Sequence, residues 1–179
     1  MAVETTINHS IYKLKEKQDK TFRLDSHCLM SLSGDIADRD NFGALVRVNT
    51  DFQRFKNNGR RASVKRSAEY VRGELAKAIR KSMKQVSPVI IGYDVRKQAQ
   101  LYWMDYLGTI ADVNYCSQGY SSYFVTSVLA TNWKEGMDKA QARELVDKCI
   151  QGLRTRFMIA QNHYDLWHVD ANGVTKLQE

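Results

Sequence analysis

The stretch CLMSLSGD, residues 28–35, decides the fold class. Its first six residues mix small and large, mostly apolar side chains, which predicts a strand buried on both faces. Gly34 ends this strand, and Asp35 or Asp38 can cap a helix that follows. A doubly covered strand that runs directly into a helix predicts a sheet with helices packed on it.

Two helices are predicted downstream of this strand. The first has apolar residues at three-, four- and seven-residue spacings and stops at Asn57-Asn58-Gly59. The second starts at Ser63, a plausible N-cap, and its apolar residues recur with helical period. The apolar positions are Phe42, Leu45, Val46, Phe52 and Phe55 in the first helix, and Val64, Ala68, Val71, Leu75 and Ile79 in the second.

Strands are predicted on both sides of these helices. Residues 11–12 and 22–24 read as half-buried strands separated by the charged turn 15–19. After the helices, Pro88 opens a strand over 88–94, followed by an aromatic-rich strand over 99–106 and a short one over 113–117.

The C-terminal third repeats the pattern of two helices followed by strands. Gly119 introduces a helix that ends near Asn132, and Asp138 starts another, with Gln141 placed to complete a capping box. Alternation predicts a strand over 164–169, and Asn172-Gly173 is a hairpin signal before the last strand, 174–177. Helices in pairs between blocks of antiparallel strands predict one layered α+β domain over 1–179.

The composition narrows the function classes. The chain has 179 residues and a formal charge of +7, which raises a nucleic-acid hypothesis. No recognised nucleic-acid module surrounds the basic groups, and a solvated or subunit-facing surface is favoured, so we expect no nucleic-acid partner. These groups are Lys13, Lys15, Lys17 and Lys20, and Lys56, Arg60, Arg61, Lys65 and Arg66. We also expect no membrane partner, because no apolar run reaches spanning length and no signal-peptide core opens the chain.

Five motifs occur in order along residues 8–177 and together resemble one protein family. They are DKTFRL with LMSLSGD (19–24 and 29–35), PVIIGYD (88–94), LYWMDYLG (101–108), QGYS (118–121) and WHVDANG (167–173). They are similar to the eukaryotic 20S proteasome beta subunits. The 101–108 segment is the most specific, and it resembles the type-2 branch, which occupies the beta-4 position of the ring.

The resemblance implies a fold and a function. The fold is the four-layer αββα sandwich of the N-terminal nucleophile hydrolases. The implied partners are other alpha and beta subunits in a 28-subunit particle of stacked rings that degrades ubiquitin-marked proteins with ATP. The implied location is the cytoplasm and nucleus, and no cofactor is implied.

Catalytic members of the family use a free N-terminal threonine as nucleophile, a lysine, and a supporting aspartate and serine. Thr5 and Thr6 precede Ile7 as in a processed start, but exposing a threonine amine requires removal of residues 1–4, and Glu4 replaces the usual glycine. Lys20 matches the lysine, whereas Tyr120 falls at the serine position and Phe157 near the aspartate position. The resemblance therefore implies a non-catalytic subunit. The alternative is a threonine hydrolase that uses Thr5 or Thr6 after trimming.

The remnant family positions are Lys20, Gly34, Gly119, Tyr120 and Phe157. Compared with the family, the chain is short by roughly 15 to 20 residues between Ile7 and Asn8, about two strands. Its first hairpin is thus predicted to be shortened or missing.

Other residues give weaker signals. His9, His27, His163 and His168 lack metal-ligand spacing, and Cys28, Cys116 and Cys149 lie far apart in apolar stretches, which favours buried thiols. Arg60-Arg61-Ala62-Ser63 resembles a site for a basophilic kinase, and an exposed loop with a helix N-cap is the alternative interpretation. A phosphate there would suit the helix dipole.

Overall fold

The computed structural model describes residues 1–9, 12–159 and 163–177 of the chain, and gives His9 a backbone position only. Ten strands and four helices make up this part. The strands are β1 (Ala2–Glu4), β2 (Ile7–His9), β3 (Tyr12–Lys15), β4 (Thr21–Asp25), β5 (Cys28–Gly34), β6 (Val86–Asp94), β7 (Gln98–Met104), β8 (Ile110–Asp112), β9 (Tyr164–Asp170) and β10 (Gly173–Leu177). The helices are α1 (Ile36–Lys56), α2 (Val64–Ile79), α3 (Ser122–Asn132) and α4 (Lys139–Arg156).

The main sheet has five antiparallel strands in the order β4-β5-β6-β7-β8. β5 and β6 pair from Cys28↔Gly92 to Gly34↔Val86. Met30 and Ile90, which face each other across this pair, are fully buried. Each such side chain contributes about 1.5–3 kcal/mol through its removal from water. The predicted doubly covered strand is therefore the centre of the core.

Helices α1 and α2 pack on this sheet and supply the rest of its core. Val46 of α1 and Val71 of α2 are fully buried. Asp35 accepts the backbone N–H of Asp38 at the start of α1, and Ser63 accepts that of Arg66 at the start of α2. Both predicted caps are confirmed.

A second antiparallel sheet has the order β1-β9-β10, and β2 and β3 form a separate pair. β9 contacts β6 and β7, and β10 contacts β5, so the second sheet packs against the main one. Helices α3 and α4 form their own apolar cluster around Val125, Leu145, Cys149 and Leu153. The predicted capping box of α4 is present, with Asp138 and Gln141 exchanging both bonds.

Three strand predictions need correction. Residues 113–117 are a loop, because the ladder with β7 ends after β8 with one bond from the Val113 N–H to the Leu101 carbonyl. β6 begins two residues before Pro88, so the proline lies inside the strand. The strand tolerates this proline because pairing with β7 starts only at Val89. Finally, β3 is exposed rather than half-buried, with Tyr12 at 69% and Leu14 at 61%, because it pairs only with β2 in the described part.

Some N-terminal predictions stay partly open. Ile11 lies outside the described residues. Thr5 and Thr6 lie between β1 and β2. Ile7 and Asn8 are neighbours in β2, and the pairing with β3 shifts register between them. The shortened hairpin at this point stays a prediction. None of the described helices combines the length and apolarity needed to cross a membrane.

Asp38→Asn is expected to flatten the loss of stability in acid. The Gln85 backbone N–H and the Lys84 ammonium bind the Asp38 carboxylate and lower the pKa of this group. A carboxyl with a lowered folded pKa stabilises above its unfolded pKa of about 3.9 and loses this contribution as pH falls through the folded pKa. Urea unfolding from pH 6 down to pH 2 should show a shallower decline in the variant. Lys84→Met removes only the second partner and should retain part of the dependence; an unchanged slope in Asp38→Asn would contradict this account.

Candidate functional site

Lys20 lies in the segment between β3 and β4 and is held by the first turn of the chain. Its ammonium donates to Glu4 Oε2 at 2.7 Å and to the Thr6 carbonyl at 2.7 Å. The side chains of Lys20 and Glu4 are each 15% exposed, so the ion pair is largely withdrawn from solvent. The lysine predicted from the motif is therefore paired with a carboxylate that the motif did not single out.

Glu4 uses both carboxylate oxygens. Oε1 accepts the backbone N–H of Thr6 at 2.6 Å while Oε2 accepts Lys20. One side chain thus closes the turn between β1 and β2 and ties it to the segment before β4. The sequence did contain a signal for Glu4, because it is an acidic residue between apolar Val3 and a pair of threonines. A carboxylate buried in such a segment needs a cation as its partner.

Thr5 and Thr6 are buried, at 5% and 3% exposure. The N–H and the hydroxyl of Thr5 both donate to the His163 carbonyl, at 3.0 and 3.3 Å, and the Thr5 carbonyl accepts the Gln18 N–H. The nitrogen of each threonine is a peptide amide here. The chemistry of an N-terminal nucleophile needs a free threonine amine to accept the hydroxyl proton.

Tyr120 and Phe157 are brought together in a different part of the molecule. Their rings stack with centroids 5.8 Å apart at 29°, and Phe157 also meets Phe124 at 5.6 Å. Phe157 is the C-cap residue of α4, and Tyr120 is 69% exposed. The pair fastens the turn before α3 to the end of α4.

Gly119 and Gly34 have backbone roles. Gly119 has a φ of +70° and opens a short 3₁₀ turn, Gly119–Ser121, before α3. Gln118 beside it donates to the Met104 carbonyl, which fixes this turn to the end of β7. Gly34 has a φ of +120° at the end of β5, and a Cβ there would lie 2.1 Å from the Gln85 carbonyl oxygen.

Within the described part of the chain, the cysteines and histidines form no further centre. All three cysteines are free thiols, and burial raises the pKa of Cys28 to about 12 and that of Cys116 to about 11. Both thiols thus stay protonated at neutral pH and are poor nucleophiles. Among the described residues, no cluster of three or more His, Cys, Asp or Glu side chains is placed to hold a metal ion.

The first basic group is partly neutralised. Lys13 pairs with Glu16, Lys15 bonds Gln18, and Lys20 pairs with Glu4. The second group lies around the loop between α1 and α2. There Arg54, Lys56, Arg60, Arg61 and Arg66 line a cleft of about 510 Å³ together with Asp25.

Comparison with known proteins places the chain in context. A family model described as proteasome subunit matches residues 1–169. The chain is 39% identical over 173 residues to proteasome subunit beta type-2-B of Arabidopsis thaliana, covering 97% of this chain and 86% of that protein. It is 30% identical over 181 residues to proteasome subunit beta type-4 of Saccharomyces cerevisiae, covering 100% of this chain and 91% of that one.

Proposed function

Because the chain belongs to the proteasome beta-subunit family, we propose that it is a structural, non-catalytic subunit of a 20S core particle. Its task is to help assemble the inner ring of a particle that degrades ubiquitin-marked proteins with ATP. The type-2 and type-4 names of its relatives favour the beta-4 position that the 101–108 motif indicates. The proposed location is the cytoplasm and nucleus.

The observation that carries the non-catalytic half is the Glu4–Lys20–Thr6 arrangement. Lys20 donates to Glu4 and to the Thr6 carbonyl, and the Thr6 nitrogen is itself a donor to Glu4. A threonine nucleophile needs a neighbouring group that accepts its proton. At this site the Thr6 nitrogen is an amide that donates to Glu4 and accepts no proton, which supports a structural interpretation of the remnant positions.

The four-layer sandwich is part of the same proposal. The two sheets contact each other through β9 and β6, and α1 and α2 contact the main sheet. On the other side, Ile150 and Arg154 of α4 line a cavity of about 540 Å³ with Tyr164 and Leu166 of β9. These contacts support two stacked sheets between two pairs of helices.

Exposed apolar side chains support assembly into a larger particle. On α1, Leu45, Val48, Phe52 and Phe55 are between 48% and 82% exposed. Their spacing of three, four and three residues aligns them along one stripe of the helix. Large exposed apolar surfaces of this kind are typical of protein interfaces, and we propose neighbouring alpha and beta subunits of a 28-subunit particle as the partners.

Native mass and intact-subunit mass of the protein from its own cells test this proposal. We expect recovery in a particle of several hundred kilodaltons, with residues still present before Thr5. A small stable monomer would overturn the assembly role. A chain that begins at Thr5 or Thr6 would overturn the non-catalytic half and establish the threonine hydrolase instead.

The paired substitutions Thr5→Val and Thr6→Val should leave the peptidase activity of the assembled particle unchanged. Valine keeps the shape of threonine and removes only the hydroxyl. A threonine nucleophile cannot act without that hydroxyl. Cleavage of fluorogenic peptides is measured per particle, with incorporation of each variant checked on native gels. Loss of one class of cleavage at normal incorporation would contradict the proposal.

A further inference from the structure

The loop between α1 and α2 carries a motif that the assembly role does not use. We propose that Ser63 is phosphorylated by an arginine-directed protein kinase and that the arginines of the neighbouring cleft then hold the phosphate. Arg60, Arg61, Ala62 and Ser63 are all exposed, and Ser63 has an extended backbone, with φ −66° and ψ 157°. The inference concerns this surface loop and does not depend on the proposed assembly.

Recognition by the kinase follows from charge and position. Arg60 and Arg61 precede the serine by three and two residues, where kinases of this class place carboxylates in the substrate groove. Val64, the next residue, is 2% exposed and begins α2. The kinase must therefore open the first turn of α2, and helix ends are the part of a helix that opens most readily.

The chemistry transfers one phosphoryl group from ATP. Ser63 Oγ attacks the γ-phosphorus, the new Oγ–P bond forms, and the bond from that phosphorus to the β-phosphate oxygen breaks. ADP leaves with the electron pair, and the catalytic base of the kinase takes the hydroxyl proton.

The cleft that Ser63 lines is built to retain the product. Its charged lining residues are five cations and one carboxylate: Arg54, Lys56, Arg60, Arg61, Arg66 and Asp25. Asp25 lies 3.5 Å from Arg54 and 3.9 Å from Arg61, so both pairs are loose. A phosphate of nearly two negative charges can draw these arginines into shorter, charge-assisted bonds.

The helix supplies a further attraction. Ser63 is the N-cap of α2, and its Oγ already accepts the Arg66 N–H at 3.2 Å. The first turn of this sixteen-residue helix, residues 64–67, contains no Asp or Glu, so its positive end lacks a compensating charge. A phosphate on Ser63 would supply this charge and tie the end of α1 to the start of α2.

Incubation of the folded full chain with ATP and the catalytic subunit of a cyclic-AMP-dependent protein kinase tests recognition. Intact mass and peptide mapping should show one phosphate, on Ser63. Ser67, which is 5% exposed and follows Lys65-Arg66, should stay unmodified as an internal comparison. Ser63→Asp retains a good N-cap and should take up none.

The dependence of the phosphorylation rate on Arg60 and Arg61 shows whether the kinase recognises the motif or modifies Ser63 only because it is exposed. Arg60→Ala with Arg61→Ala should lower the rate of phosphorylation at least about tenfold, the effect of losing charge-assisted bonds. Arg80→Ala at the far end of α2 removes one positive charge and should leave the rate unchanged. Phosphate that appears only after heat unfolding, or an equal rate in the Arg60 and Arg61 variant, would overturn the proposal.

Phosphorus-31 NMR titration of the phosphorylated chain tests retention in the cleft. Contact with cations should place the second pKa of the phosphate below its ordinary value of about 6. Arg54→Met and Arg66→Met should each move it back toward that value without touching the kinase motif. A second pKa of about 6 in the otherwise unaltered chain would show a phosphate free in solvent and overturn this half of the proposal.

Discussion

Gly34→Ala is expected to lower the free energy of unfolding by more than about 3 kcal/mol. Gly34 has a φ of +120°, and an added Cβ would meet three backbone atoms at 2.1–3.0 Å, the nearest being the Gln85 carbonyl oxygen. That oxygen accepts the Asp35 N–H at the start of α1, so it cannot retreat without breaking the helix entry. Urea unfolding at pH 7 measures the loss.

Gly59→Ala separates conformational strain from the clash. Gly59 also has a positive φ, +77°, but open space lies around its Cβ position. Its substitution should cost only about 1–2 kcal/mol. Gly73→Ala, inside α2 with neither strain nor a clash, should stabilise by about 0.5–1 kcal/mol. Equal losses at Gly34 and Gly59 would show that the contact with Gln85 has no energetic weight.

Helix ends were predictable because their signals are local. Asp35, Ser63 and Asp138 each bind a backbone N–H three residues ahead, so the side chain and its partner both lie within one turn. The buried β5 strand was predictable for a similar reason, since six adjacent residues, 28–33, carry the pattern. Such features need no knowledge of the distant chain.

The inward face of α1 was not predictable from its apolar residues. Phe42 and Val46 are buried, whereas Leu45, Phe52 and Phe55 are exposed. An apolar pattern indicates a helix without telling which stripe meets its own sheet and which one meets a partner. Gly43 indicates which side of α1 faces the sheet. The Phe22 ring of β4 lies 2.2 Å from the position a Cβ would take at residue 43, so only glycine fits on that side.

The candidate site was only half predictable. Lys20 was identified by motif, but its partner Glu4 lies sixteen residues away on the other side of the β2–β3 pair. Tyr120 and Phe157 stack although 37 positions separate them in the sequence, a contact that only the packing of α3 against α4 creates. Long-range pairs of this kind depend on topology and leave no local trace.

Lys20→Met is expected to lower the free energy of unfolding by about 3 kcal/mol, because it leaves the Glu4 carboxylate largely buried without its cation. Glu4→Gln should cost less, since the amide oxygen can still accept the Thr6 N–H. The double variant should recover part of the loss, because it removes the unpaired charge. A urea-unfolding cycle over the four proteins measures the coupling, expected at about 1–3 kcal/mol.

Lys13→Met provides the matched control, since its pair with Glu16 is exposed at 46% and 48% and should have no measurable effect. A loss at Lys20 no larger than at Lys13 would contradict the structural role.

Lys20→Met also separates a structural role of this lysine from a catalytic one. If Lys20 only holds the first turn in place, Lys20→Met should reduce incorporation into the particle while each particle that forms retains its full peptidase activity. If Lys20 activates a threonine, activity per particle should fall even where incorporation is normal.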